Sequence, residues 1–219
     1  MKVAVLFSGG KDSVFATFWA IVHGFEPILV TIRPPEYSMM FHHPNVNQTK
    51  LQAKALGLRQ VFVKTTEENW REQLVLTFKK LKVKGIVAGA ISSEYQRRRI
   101  DSIGNELDIS TYAPLWHKDQ EDSDLLKELL EYFEIYLSAV SAEGLDEKYL
   151  AEPFSKIHSK KIPNIHPFLE GGEGETFVTS APFFKKIIKI KEWKKSWDGQ
   201  RGVAEIKKAS LSNKSKKRK

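Results

Sequence analysis

The sequence predicts an α/β protein: a doubly wound, parallel five-stranded sheet over residues 1–116, followed by a smaller α+β C-terminal domain. Three observations carry this. Short runs rich in Val, Ile and Leu alternate with helical segments through the first half of the chain. A glycine-rich turn, Ser8-Gly9-Gly10-Lys11-Asp12-Ser13, directly follows the first apolar run. The alternation stops near Trp116, and a different mixture of short helices and extended runs follows.

Residues 3–7 form the first strand, and the helix after the glycine turn runs to about His23. Residues 27–32 are the second strand. Pro34-Pro35 breaks regular structure in the loop over 33–44. Residues 47–56 read as a helix stopped by Gly57. A third strand spans 60–64. The helix over 68–81 places Trp70, Leu74, Phe78 and Leu81 on one face. A fourth strand at 86–90, a helix at 94–107 and a fifth strand at 111–115 complete the sheet. Sheets of this kind bind ligands at the carboxyl ends of strands, where strand order reverses. The loops after strands one and four are then neighbours across one crevice.

Beyond Trp116 the pattern gives a helix at 125–132, a strand at 135–140 and a helix at 147–154. Residues 155–169 read as loop, with Pro163 and Pro167. Extended runs follow at 176–180 and 186–191. Asp198-Gly199 marks a turn between 187–197 and 201–206, a terminal hairpin. The expected organisation is therefore a nucleotide domain at 1–116, an α+β substrate domain at 117–206 closing over the crevice, and a disordered basic tail at 207–219.

The 219 residues, 41% hydrophobic, suffice for one large domain or two small ones. No apolar stretch is long enough to span a bilayer, and the first residues lack the pattern of a cleavable signal. There is no cysteine, which excludes disulfides, thiolate zinc sites, iron–sulfur clusters and a persulfide carrier. The expected location is the cytoplasm, with no membrane partner. The net charge of +8 is uneven: residues 207–219 hold seven basic side chains and no acid. The remaining 28 of the 35 basic residues face all 27 acids, so residues 1–206 stand at +1. Any nucleic-acid contact is expected through the basic tail alone.

The glycine turn has the chemistry of a pyrophosphate cradle. Gly9 and Gly10 let the backbone approach a ligand closely. Successive amides and a helix start converge on one anion. Ser8 and Ser13 can donate to phosphate oxygens, Lys11 adds a point charge, and Asp12 can hold Mg²⁺. The spacing is not that of a Walker A loop. After strand four comes Gly89, then Ser93 as an N-cap, and Tyr95, Gln96, Arg97 and Arg99 at the helix start, suited to phosphate or carboxylate. Glu170-Gly171-Gly172-Glu173-Gly174-Glu175-Thr176 crowds three carboxylates just before a strand. Such crowding suits a cation among them, whether Mg²⁺, ammonium or a cationic substrate head; a flexible acidic surface loop has the same composition. His42 and His43 can contact nucleotide or substrate, or be ordinary loop residues.

SGGKDS at 8–13, Met40-Phe41-His42, GAISSEYQRRRID at 89–101, Pro114-Leu115-Trp116, and EGGEGET at 170–176 followed by Ala181-Pro182 together resemble one family. It is the diphthine–ammonia ligase (diphthamide synthetase) family of the PP-loop ATP pyrophosphatase superfamily. The resemblance implies an adenine nucleotide alpha hydrolase (HUP-like) fold and an AMP-forming acid–ammonia ligase. It implies ATP and Mg²⁺ as cofactors, with ammonia and the diphthine of translation elongation factor 2 as substrates. Ser8, Gly9, Gly10, Lys11, Asp12 and Ser13 would hold ATP, with Asp12 on Mg²⁺. His42, Gly89, Tyr95, Gln96, Arg97, Arg99, Glu170, Gly171, Gly172, Glu173, Glu175 and Thr176 would meet substrate. Lys11, Glu173 and Glu175 would be catalytic. The family's second loop usually reads Gly-Glu-Gly-Gly-Glu-aromatic-Glu-Thr; here Leu169 replaces the first glycine and Gly174 the aromatic residue. A tRNA-modifying PP-loop enzyme and a non-catalytic ATP-binding module are the alternatives.

Overall fold

Five short apolar runs become five parallel strands. The computed structural model describes residues 1–33, 45–91, 93–116, 124–158, 162 and 164–214. In chain order come β1 (Lys2–Leu6), α1 (Lys11–Val22), β2 (Glu26–Arg33), α2 (Thr49–Leu56), β3 (Gln60–Lys64), α3 (Trp70–Leu81), β4 (Gly85–Val87), α4 (Glu94–Leu107) and β5 (Ser110–Tyr112). The sheet order is β3-β2-β1-β4-β5, all parallel. Strand order reverses between β1 and β4, so the glycine turn after β1 and the Gly89 segment after β4 lie side by side, as expected. The fold class is thus a doubly wound α/β sheet.

Strands of such a sheet are covered on both faces, which explains their unbroken apolar character. Val3, Ala4, Val5, Leu29, Val30, Ile86 and Val87 are all fully buried. On one face Leu74 and Phe78 of α3 and Ile103 of α4 meet Ala4, Val30 and Ile86. Burying a side chain of Leu or Phe size contributes about 1.5–3 kcal/mol. The sequence-predicted fourth and fifth strands are each shorter in the structure. Ala88 leaves the ladder, although its amide still donates to the Tyr112 carbonyl at 2.9 Å.

The second half contains α5 (Asp124–Tyr132), β6 (Glu134–Val140), α6 (Phe154–His158), β7 (Gly174–Ser180), β8 (Lys186–Trp197) and β9 (Gly202–Asn213). Its antiparallel sheet runs β7-β6-β9-β8. The chain divides into two units: Met1–Val46 with Arg59–Gln120, and Asn47–Leu58 with Glu121–Lys219.

Three expectations are corrected here. The segment containing α2 belongs to the second unit, not to a 1–116 domain. Gln52 Nε2 donates to the Val178 carbonyl at 2.9 Å, Gln48 Nε2 to Ile206 at 3.0 Å, and the Lys185 amide to Ala55 at 2.7 Å. Residues 207–213 are not a disordered tail: they are the second half of β9, registered against β8 from Glu192↔Lys208 to Lys186↔Asn213. Residues 215–219 lie outside the described residues. The helix expected over 147–154 is a 3₁₀ turn at Glu147–Tyr149 and a separate α6. Pro153 cannot donate to a helix and restrains the residue before it. Ala151 meanwhile takes a positive φ of 61°.

Candidate nucleotide cradle and carboxylate loop

The first unit holds the cradle. Gly9 has φ +85°, a backbone open to glycine. Gly10 is extended and caps α1 with no side-chain bond. The Gly9 amide donates to Ser13 Oγ at 3.1 Å, and the Gly10 amide to Ser8 Oγ at 3.4 Å. The loop is therefore pre-formed around two oxygen acceptors. Phosphate oxygens are stronger acceptors of the same kind, and bonds this long exchange at little cost. Ser13 Oγ donates to the Gly10 carbonyl at 3.0 Å and closes the turn. Thr31 Oγ1 donates to the Phe7 carbonyl at 2.7 Å and ties the loop's stem to β2.

Lys11 and Asp12 sit as a pair, Nζ to Oδ2 at 2.8 Å, with side chains 4% and 24% exposed. A buried ammonium keeps its charge only beside an anion. The pair gives the cradle both a cation for phosphate and a carboxylate suited to a divalent ion.

Gly89 packs directly against the first turn of α1. A Cβ there would lie 2.7 Å from the Asp12 carbonyl carbon, 2.8 Å from its oxygen and 2.9 Å from the Ser13 amide. The bare α-carbon is what lets the end of β4 abut the first turn of α1. Gly89 shapes the cradle from behind.

The structure splits the arginine-rich start of α4 into two groups. Ser93 Oγ caps the helix by accepting from the Gln96 amide at 3.3 Å. Arg99 lies 3.7 Å over the ring of Tyr95 and 5.1 Å from that of Trp70 on α3. Tyr95 is 58% exposed, so this stack presents an open surface. Arg97 instead points its Nε at Asp101, 2.8 Å away, and lies 5.7 Å over the Trp116 ring. Thr111 Oγ1 donates to the other Asp101 oxygen at 2.5 Å.

Burial pushes the Asp101 carboxyl up, but the Thr111 hydroxyl and the Arg97 guanidinium outweigh it. The group lies below its ordinary value of 3.8. Its stabilising contribution is therefore present above 3.8 and lost as pH falls through the lower folded value. Asp101→Asn is expected to lower the urea midpoint at neutral pH, and the gap from the parent to close below about pH 4. A gap independent of pH would mean the carboxylate charge is not what matters.

The second unit holds the carboxylate loop. Glu173 Oε2 accepts from the His166 amide at 2.8 Å, and the Glu173 carbonyl accepts from the Ser141 amide at 2.9 Å. Ser141 Oγ donates to the Gly172 carbonyl. The Phe168 amide donates to His166 Nδ1 at 3.2 Å. Glu173 thus ties the loop back onto the 166–169 turn. Gly171 and Gly172, with φ of +73° and +83°, form the exposed tip. Glu175 and Thr176 continue into β7 opposite Ala139 and Leu137. Among the described residues no three His, Cys, Asp or Glu side chains form a metal-holding group. His42 and His43 lie outside the described residues.

The two unusual positions of this loop explain each other. Leu169 carries φ +56°, the conformation a glycine would adopt freely. It is only 4% exposed, and its Cδ1 would stand 3.2 Å from a Cβ at position 174. The Leu169 side chain fills the space that a side chain on Gly174 would need.

Residues 1–111 match the family model for the diphthamide synthase N-terminal domain, and residues 121–212 that for the diphthamide synthase C-terminal domain. The chain belongs to the diphthamide synthase family. It is 34% identical to Homo sapiens diphthine–ammonia ligase over 86% of this chain and 82% of that one. It is 31% identical to the Danio rerio diphthine–ammonia ligase over 87% and 86% respectively. A solved Methanocaldococcus jannaschii structure, described as a "predicted subunit of tRNA methyltransferase", is 20% identical with a TM-score of 0.46. It covers 83% of this chain and 98% of its own.

Within this member of the diphthamide synthase family, sequence reasoning missed Asp101 and Thr111 as the anchors of Arg97. It also missed Trp70 under Arg99, and Ser141 and His166 under the carboxylate loop. The four-residue spacing of Arg97 and Asp101 was the available signal for the first. The others depend on pairings between distant segments.

Proposed function

We propose that this protein is an ATP-dependent ligase that converts the carboxylate of diphthine to its amide with ammonia. The supporting observation is the 34% identity to Homo sapiens diphthine–ammonia ligase across 86% of the chain. The diphthine is proposed to be carried by translation elongation factor 2, in the cytoplasm. No helix among the described residues is long and apolar enough to cross a membrane.

A carboxylate is a poor acyl donor because its leaving group would be oxide. Its oxygen attacks the α-phosphorus of ATP, forming an acyl-adenylate as pyrophosphate leaves. Ammonia then attacks the acyl carbon, AMP departs and the amine gives up a proton. Ser8, Gly9, Gly10, Lys11 and Ser13 hold the β- and γ-phosphates and stabilise charge as pyrophosphate leaves. Asp12 is the residue that would hold Mg²⁺, which would neutralise phosphate charge. The open stack of Tyr95 and Arg99, with Gln96 and Arg97, orients the substrate carboxylate or α-phosphate. Glu170, Gly171, Gly172 and Thr176 shape the carboxylate loop. Glu173 and Glu175 hold the trimethylammonium of diphthine or ammonium, and Glu175 takes the amine proton. His42 is proposed to meet substrate as well.

The test is mass spectrometry of diphthine-bearing elongation factor 2 after incubation with this protein, ATP and ammonium. The expected product carries an amide in place of the carboxylate, with one AMP and one pyrophosphate released. ATP binding with no AMP, under those conditions, would refute the reading.

Glu173→Gln separates chemistry from architecture. Glutamine keeps an oxygen to accept the His166 amide, so the loop keeps its shape. Loss of the charge is expected to lower amide formation roughly tenfold, the scale of one bond to a charged group. First-turnover pyrophosphate release should change less than about twofold on that scale. Equal loss in both steps would assign Glu173 to the fold alone.

A further inference from the structure

The positive charge of this protein is concentrated on one structural element. Residues 186–214 hold nine basic side chains against three acids, and residues 215–219 add four more basic ones. Residues 1–185 hold 22 basic against 24 acidic side chains. The whole excess therefore begins at β8, well before the end of the chain.

The element is the β8–β9 hairpin. Its strands pair from Lys186↔Asn213 to Trp197↔Gly202, apart from two register shifts. Those shifts skip Lys191 on β8 and Lys207 on β9. A bulged residue is turned away from the ladder and re-aimed. β9 joins β6 only at Val203 and Gly202, so most of the hairpin stands as a two-stranded ribbon. Ile188 and Ile206 are buried, and Gln48 of the α2 segment bonds the Ile206 carbonyl. Lys186, Lys189, Lys191, Lys194, Lys195, Lys207 and Lys208 are all exposed. At about 3.3 Å per residue, the lysines of β8 span roughly 30 Å along the strand, spread over both of its faces.

Edge strands carry lysine to prevent misassociation, yet here five lysines line one strand and two more lie on its partner. A protein-docking surface needs an apolar core, and lysine is depleted there. Among the described residues the exposed large hydrophobics are Met1, Ile21, Val22, Leu76, Tyr95 and Tyr132, all outside the hairpin. A long row of exposed lysines, whose interspersed Trp193 and Trp197 are half-buried, is the complement of a phosphodiester backbone, which asks only for spaced positive charge.

We infer that the β8–β9 hairpin is an RNA-backbone docking ribbon, a role separate from the ligase chemistry. It binds single-stranded RNA with little sequence preference and strong dependence on salt.

The test uses the full chain and a labelled oligouridylate, titrated between about 50 and 200 mM salt. The triple variant Lys189→Gln, Lys191→Gln, Lys195→Gln is compared with Lys79→Gln, Lys80→Gln, Lys84→Gln, an equal charge loss on exposed positions elsewhere. Circular dichroism checks that both variants fold. For the hairpin variant, the log–log salt slope should become shallower by about 2, at roughly 0.7 per phosphate contact. Its affinity at low salt should fall at least about tenfold. The control variant and a chain lacking residues 215–219 should keep most of the binding. Absence of binding at low salt would overturn the inference, as would equal losses in both triple variants. Equal or tighter binding to polyglutamate or to phosphatidylserine vesicles would also overturn it, by assigning the ribbon to an acidic protein or a membrane surface.

Discussion

Gly89→Ala is expected to reduce AMP and pyrophosphate formation about a hundredfold while leaving the protein folded. The new methyl would stand 2.7–2.9 Å from the backbone of Asp12 and Ser13. Real Cβ atoms do not approach backbone so closely, so the end of β4 or the first turn of α1 must move. Both sides are packed, with Lys11, Ser13 and Val14 buried as Val87 is, and it is a shift of the α1 turn that would reach the cradle. Displacing it moves the Lys11–Asp12 pair and the Ser13 hydroxyl together. A shift of about 1 Å in a positioning element costs on the order of 10²-fold in rate. The check is a pair of measurements, initial-rate AMP release and the thermal midpoint. Near-parental turnover would mean that the cradle tolerates the shift. A collapse of the midpoint would place the effect in the core.

The same glycine shows what a sequence can and cannot disclose. The alternation of apolar runs and amphipathic helices was enough to order five strands, because period and length are local properties. The strand-to-helix turn at residues 8–13 is legible for the same reason: its glycines and hydroxyls are adjacent in the chain. Gly89 was visible only as a glycine near a ligand-binding edge. The switch point names the neighbouring loop, but not the contact of the Gly89 α-carbon with the backbone of Asp12 and Ser13. Arg97 and Arg99, two residues apart in sequence, share one proposed role but not one set of neighbours. The helix turns them apart, one toward Asp101 and the other onto Tyr95.

Partner choice was the recurring limit. The α2 helix shows the pattern of a helix with one buried face, but that pattern does not say which sheet it covers. Fully buried Gln52, bonded to the Val178 carbonyl, assigns it to the antiparallel sheet. The interrupted helix at 147–154 was a matter of one residue, since Pro153 pairs with Tyr136 across an isolated bridge. At the C-terminal end, charge obscured a strand. Lysines at 207, 208 and 214 suggested a solvated tail, while Ala209 and Leu211 alternate with serines in the two-residue period of a strand. Their register is set by β8, through Ile190↔Ala209 and Ile188↔Leu211.

That strand makes truncation a sharp test of the corrected boundary. Deleting residues 207–219 is expected to destabilise the second unit by about 3 kcal/mol or more, from several ladder bonds at roughly 0.5–1.5 kcal/mol each and the apolar area uncovered. The loss reaches beyond β9. Ile188 would lose Leu211 as its cross-strand neighbour, and the β8 residues from Lys186 to Glu192 would lose their registered partners. Lys214, whose Nζ bonds the Ala181 carbonyl and that of Pro182 at 2.9 Å, would go as well. The segment it holds lies between β7 and β8, so the start of β8 would be loosened from two directions. Deleting only residues 215–219 leaves every one of these pairings and should change the unfolding free energy by less than about 0.5 kcal/mol. The two truncations differ by eight residues, all of them in β9 except Lys214. Equal midpoints for the two would show that the outer half of β9 contributes nothing to stability. A midpoint lost only in the longer truncation would place the structural boundary of the chain after Lys214, eight residues beyond the point at which charge alone divides it.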